Sequence, residues 1–335
     1  MYYSPCILFF MNSIPVDKTK NLRAHIKNTI GTLVLIFFVW FLFQNKNILD
    51  PLKNISWEQI LLIVLIDMAT FLINGVLDQS MINRFDRRVG FLDCYLLGYA
   101  SNFLNKILPT IGGGAAFRAA FLRRKYQFPY TQFISTVAGL YVISFFSTAF
   151  IGLFCLWVIY VNFTVFNWVI FLSFLAIGLF CLFIIVFSPE VSESSNGMLK
   201  ILNSIFEGWK IIKSEPKFIL IYALLSMTIL FLSALQTFFS YQALGISTDI
   251  ISMLFLATLG IILAFLNFTP DGIGVKEGVY VFSSNLVRIP SGILVLGSLV
   301  LRAISICTTF IFGGICYMYL SRKLNRMEDP ADIHA

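Results

Sequence analysis

Charge is scarce in this chain of 335 residues: Asp, Glu, Lys and Arg together make up 12%, and the stretch between Lys125 and Glu190 carries no charged side chain at all. An ordinary soluble domain needs far more ionised surface, so that class is excluded and the long apolar segments must be buried in lipid. Histidine is nearly missing too. The two present, His25 and His334, lie near the chain ends, and no HExxH, GxSxG, Walker loop or Cys/His cluster with ligand spacing occurs. The common motifs for metal, nucleophilic and nucleotide chemistry are therefore absent, and neither metal nor cofactor is expected. The six cysteines (Cys6, Cys94, Cys155, Cys181, Cys307 and Cys316) form no CxxC pair and read as small core residues. A net charge of +7 does not point to nucleic acid, because the Lys and Arg residues flank apolar segments as juxtamembrane anchors do.

What is abundant is hydrophobic sequence, 58% of the chain. Apolar runs centred on residues 29–43, 60–77, 130–161, 165–187, 218–241 and 290–320 each fit one helical crossing, with a turn at Asn162–Asn167 between the third and fourth. Two more segments, 92–117 and 250–286, are broken by Pro109-Thr-Ile-Gly-Gly-Gly114 and Pro270-Asp-Gly-Ile-Gly274, whose prolines lie 161 positions apart (270 − 109). Basic clusters flank the first on both sides (Arg84, Arg87 and Arg88; Arg118, Arg123, Arg124 and Lys125), and its arms are short for a crossing. It is expected to enter the membrane and return to the cytoplasmic face. If the second does the same from the outer face, eighteen of the 24 basic residues become cytoplasmic, and Trp40, Trp57, Trp157 and Trp168 gather near the outer interface. A rival topology lets 250–270 cross completely and divides 278–321 into two spans.

The expected fold is thus an all-α polytopic membrane protein with six full spans plus two re-entrant helical hairpins in an inverted repeat. Its parts are a cytoplasmic tail (1–28), a first repeat (29–161), a second repeat (162–320) with an amphipathic cytoplasmic linker (197–213), and a cytoplasmic tail (321–335). Met1 and Met11 are both candidate starts, and the segment between them lacks the basic leader and cleavage site of a secretory signal.

Interrupted helices in corresponding places of two halves point to a site at the bilayer midplane, because broken backbone survives there only in protein or in a wet cavity. Pro109 and Pro270 break the helices. Gly112, Gly113, Gly114, Gly272 and Gly274 let bare amides and positive helix ends approach an anion. Intramembrane polar and charged groups demand a partner or a cavity. Asn105, Lys106 and Arg118 in the first half, and Asp271, Lys276, Glu277 and Arg302 in the second, are candidate substrate-binding residues, among which Lys106, Arg118, Lys276 and Arg302 would attract a headgroup phosphate. Asn102 lies beside them. Asp67, mid-span with Asn74 and Asp78 on its stripe, and Glu277 are candidates for charge balance or proton coupling, with Arg302 the expected counter-ion of Asp67.

Asn105-Lys-Ile-Leu-Pro-Thr-Ile-Gly-Gly-Gly114 with Arg118, Thr269-Pro-Asp-Gly-Ile-Gly-Val-Lys-Glu-Gly278, and Arg302 make residues 29–320 resemble the transmembrane region of the lysylphosphatidylglycerol synthase family. That resemblance implies a flippase-like protein moving a phospholipid between leaflets, without the family's soluble synthase domain. The chain departs from the family pattern at Gly114 and Ala115, and again at Leu140 and Tyr141, where relatives often carry charged residues.

The expected function is therefore movement of a phospholipid or lipid-linked headgroup across a bacterial cytoplasmic (inner) membrane, with both termini cytoplasmic, no enzymatic activity, and a lipid or glycan synthase as partner. The alternatives are an intramembrane lipid-modifying enzyme and a non-transporting scaffold for such a synthase.

Overall fold

Helices dominate because the sequence offers long uncharged stretches in which only internal backbone hydrogen bonds can be made, and their limits fall at residues that stop or start a helix. The computed structural model describes residues 55–107, 113–187, 206, 209–210, 212–214, 216–265 and 274–326. Helix α1 (Trp57–Ile82) opens on a capping box in which Ser56 Oγ accepts from the Gln59 amide and Gln59 Oε1 accepts from the Ser56 amide, both at 3.3 Å. Then come α2 (Phe91–Ile107), α3 (Gly113–Tyr126) and the long α4 (Tyr130–Phe163). The chain turns at Thr164, which adopts the left-handed conformation, and Asn167 Oδ1 caps the start of α5 (Trp168–Phe187) by accepting from the Val169 and Ile170 amides. The second half holds α6 (Pro216–Ala243), α7 (Ile250–Phe265), α8 (Val275–Phe282), the short α9 (Ser284–Val287) and α10 (Ser291–Thr308). A π-helical turn at Thr309–Gly313 joins α10 to α11 (Gly314–Arg326).

Among the described residues five helices are long and apolar enough to cross a membrane, Trp57–Phe85, Tyr130–Phe163, Trp168–Phe187, Pro216–Ala243 and Ser291–Leu324. They match five of the six expected spans; the run at 29–43 lies outside the described residues, as do both tails up to residue 54 and from residue 327. Residues 291–324 form one uninterrupted helical rod, which the rival division of 278–321 into two spans does not accommodate. Helix α7, at 16 residues, is only about 24 Å long, short of the hydrocarbon thickness.

The two interrupted segments are antiparallel helical pairs. Asp93, in the first turn of α2, accepts hydrogen bonds from Lys125 and Tyr126 at the far end of α3, so the pair begins and ends in one place. In the second, Gly260 faces Lys276 and the Tyr280 hydroxyl donates to the Leu256 carbonyl at 3.2 Å, which sets α8 antiparallel to α7. Their mouths lie at opposite ends of the bundle. Lys323 of α11 also donates to Asp93, while Lys213 donates to the Val186 carbonyl and Arg84 lies over the Phe218 ring, so these helix ends collect together. Apart from four residues lining cavities and Arg288, the described Lys and Arg residues gather there. At the other end Arg288 donates to the Phe163 carbonyl, close to the exposed Trp157 and Trp168.

Packing between the halves is reciprocal. Helix α4 of the first half packs on α7 of the second, α11 of the second packs on α2 of the first, and α1 and α6 pack on each other. Two cores result. One gathers Leu97, Phe121, Leu122 and Leu320 around the first pair, and the other gathers Ile159, Phe174, Phe255 and Tyr280 around the second. The described part of the linker is tucked against the protein, with Trp209 and Ile212 buried against Gly139.

Candidate functional site

Two cavities lie along α1, and Ile261 of α7 contributes to the walls of both. The first, of 310 Å³, is lined by Asp67, Lys106, Gln236, Lys276, Arg302 and Thr308 among others. Lys106 is the penultimate residue of α2 and Lys276 the second of α8, so the inner tips of both helical pairs contribute a cation to one chamber. A volume near 300 Å³ is at the lower end of small-molecule sites.

The charges are held by short contacts. Lys106 Nζ donates to Ser305 Oγ at 3.2 Å. Arg302 pairs with Glu277 at 3.1 Å, and the same Glu277 oxygen accepts from Ser298 Oγ at 3.2 Å. Asp67 accepts from Gln236 Nε2 at 3.3 Å and from Thr308 Oγ1 at 3.4 Å. The ion pair of Arg302 is thus with Glu277 rather than the expected Asp67; both sit on the α8–α10 contact of the second half, and Asp67 is served by neutral donors. Lys276 lies 5.4 Å from the Tyr280 ring centre. Three cations and one carboxylate line this chamber, while Glu277 is buried beside it, 6% exposed.

The glycine-rich breaks behave differently from the reading of free amides. Gly114 donates its amide to Asn105 Oδ1 at 2.9 Å, and Gly274 donates to Glu277 Oε2 at 2.8 Å. Both helix starts are capped from within the chain, because the first amides of a helix have no intrahelical acceptor and a side chain already lies in reach. Glycine is required at both. A Cβ on Gly114 would lie 2.1 Å from the Ser101 carbonyl oxygen, and Gly274 has a φ of +85°.

The second cavity, of 380 Å³, lies toward the C-terminal part of α1 and is lined by Asp78, Ser101, Asn105, Arg118, Phe133 and Tyr141 among others. Arg118 forms an ion pair with Asp78, with side-chain exposures of 18% and 9%. It is a buried partner, not an interfacial anchor.

The expected residues therefore divide. Lys106, Lys276, Arg302 and Asp67 line the first cavity; Asn105 and Arg118 line the second; Gly113, Gly114, Gly274 and Glu277 build the adjoining helix starts. Pro109, Gly112, Pro270, Asp271 and Gly272 lie outside the described residues. Sequence reasoning missed Gln236, Ser305 and Thr308, and also Asp78 as the partner of Arg118. Only Gln236, a lone carboxamide in an apolar helix, gave a readable signal.

Comparison with known proteins agrees with this architecture. The chain is 24% identical to a UPF0104 membrane protein of Methanocaldococcus jannaschii, over 93% of this chain and 99% of the relative. Residues 28–313 match the family described as the lysylphosphatidylglycerol synthase TM region, and the chain is a multi-pass membrane protein belonging to that family.

Proposed function

We propose that this protein is a flippase-like carrier that moves the headgroup of a phospholipid or lipid-linked molecule between leaflets while the acyl chains stay in the bilayer. The observation that carries the reading is the convergence of Lys106, Lys276 and Arg302, from both halves, on one 310 Å³ chamber. Three cations against two carboxylates, Asp67 in the lining and Glu277 beside it, leave an excess of positive charge that attracts an anionic headgroup. Membership in a family described by a lipid synthase supports a lipid cargo.

In this reading the two helical pairs are re-entrant hairpins from opposite faces, the run at 29–43 is the sixth span, and the halves form an inverted repeat around the cavities. The end rich in Lys and Arg faces the cytoplasm and the tryptophans the outer interface, in a cytoplasmic membrane. Asp67 and Glu277 balance the cations. Ile261, which lines both cavities, is the partition a headgroup crosses. The protein acts as a carrier without covalent chemistry, and a lipid or glycan synthase is its natural supplier.

A fluorescent-lipid assay in proteoliposomes tests this. Wild-type protein should expose labelled inner-leaflet phosphatidylglycerol to an external quencher, and Lys106→Ala with Lys276→Ala should slow exposure at least tenfold. Equal rates for wild type, double variant and protein-free vesicles would contradict the reading.

A further inference from the structure

The two carboxylates at the cationic chamber are held in opposite ways. Glu277 is buried, pairs with Arg302 at 3.1 Å, accepts from Ser298 Oγ and caps the Gly274 amide, so a proton on it would cost an ion pair and weaken a helix cap together. It stays an anion. Asp67 stands half-buried in the cavity wall, where its oxygens accept from Gln236 Nε2 at 3.3 Å and from Thr308 Oγ1 at 3.4 Å. Both partners can reverse. A carboxamide turned about its last bond presents Oε1 in place of Nε2, and Thr308 Oγ1, whose hydrogen also reaches the Ile304 and Ser305 carbonyls at 3.1 Å, has lone pairs for an incoming O–H. Asp67 can therefore be charged or neutral with its hydrogen bonds kept.

Charge decides what that freedom does. The groups facing Asp67 are Lys106 of α2, which acts on it by charge together with the phenols of Tyr95 and Tyr99 on the same helix, Lys276 and Tyr280 of α8, and Arg302 of α10. Helix α6 brings the neutral Ser233, Gln236 and Thr237, and α4 carries Tyr141 beside the Asp78–Arg118 pair farther along α1. With Glu277 counted, three cations leave one net positive charge when Asp67 is ionised (3 − 2) and two when it is neutral (3 − 1). An anion binds better to the protonated form, and by reciprocity its arrival draws a proton onto Asp67. The 310 Å³ chamber has room for about ten waters to deliver it. We infer that Asp67 is a proton site coupled to the cargo: its carboxylate takes a proton from water when an anion enters the chamber and returns it to water when the anion leaves. This rests on the carrier reading and adds a direction to it, since anion and proton travel together toward the less acidic side.

The test titrates the full chain in detergent with dihexanoyl-phosphatidylmethanol, whose phosphodiester keeps a single charge from pH 5 to 8, and reads affinity and heat by calorimetry in buffers of different ionisation enthalpy. Wild type should bind about tenfold more tightly at pH 5 than at pH 8, the coupling of two unit charges about 12 Å apart at an effective dielectric of about 20, and should take up protons from the buffer as the anion binds. Asp67→Asn, fixed in the neutral charge state, should bind tightly at both pH values and take up none. Asp67→Glu keeps the carboxyl and should keep the pH dependence. A chamber lysine titrating instead would also tighten binding in acid, but Asp67→Asn would then leave the dependence in place. That result, or wild-type binding that is flat from pH 5 to 8 without proton uptake, would overturn the inference. Lys276→Ala separates the two ideas: binding that is flat with pH but lost in Lys276→Ala keeps the anion chamber and removes the proton site, whereas no binding by wild type at any pH defeats both.

Discussion

At the tip of the first helical pair the Gly114 amide is capped by the uncharged carboxamide of Asn105; at the tip of the second, the Gly274 amide is capped by the Glu277 carboxylate, which also holds Arg302 and Ser298. The backbone problem is the same in both, a helix start whose first amides have no intrahelical acceptor. The neutral cap leaves the first tip with little charge beyond Lys106. The charged cap brings a second buried ion with it, and so the second half supplies two of the three cations in the shared chamber. The mouths differ in the opposite sense. The first is fastened by the Asp93 carboxylate and its donors, whereas the second closes through apolar packing around Leu286, Val287 and Ile289.

Breaking the charged cap should cost most. Glu277→Gln leaves Arg302 buried without its ion pair, and a loss of about 3–5 kcal/mol is expected in denaturant or thermal unfolding of the purified protein. Gly114→Ala comes next: its Cβ must displace the Ser101 backbone, at about 3 kcal/mol, while Gly278→Ala, whose Cβ meets nothing within 4 Å, should be nearly silent. Asn105→Ala removes only a neutral acceptor and should cost about 1–2 kcal/mol. A result in which Asn105→Ala matches Glu277→Gln would erase the distinction between the two tips.

The mouth of the first pair sharpens the comparison through pH. Asp93 lies outside the five candidate spans. Burial pushes its carboxyl up, but hydrogen bonds from Lys125, Tyr126 and Lys323 outweigh that and hold it below the ordinary carboxylate range. A carboxyl lowered on folding stabilises the folded state above its unfolded value, near 4, and that contribution is lost as pH falls through the lower folded value. Wild type should therefore lose stability below about pH 4 more steeply than Asp93→Asn, a small difference visible in melting curves between pH 3 and 6.

Much of the chamber was legible because an ionised side chain in an apolar segment is too costly to be idle, and Asp67, Lys106, Lys276 and Arg302 announce themselves on that ground. Hydroxyl residues do not. Thr308 also returns a hydrogen bond to the Ile304 carbonyl at 3.1 Å, as such residues do on any apolar helix, so nothing in its neighbours marks it as a wall of the cavity. The capping role of Glu277 was readable from its place three residues after Gly274, a spacing that lets a carboxylate reach back to the helix start. Asn105 was not readable as a cap, since its reach to Gly114 depends on how α2 returns into α3. Pairings across the fold were equally hidden: a single sequence holds no information on whether Arg302 meets a carboxylate 25 positions away (302 − 277) or one 235 away (302 − 67). The paired arms themselves were foreseeable from the Pro/Gly breaks and the flanking charge.

The claim on which the account stands is that two helix tips from different halves share one chamber. In a cysteine-free background, Lys106→Cys combined with Lys276→Cys should be joined within one chain by a short bismaleimide in native membranes. Efficient labelling of each position without any intramolecular link would contradict it.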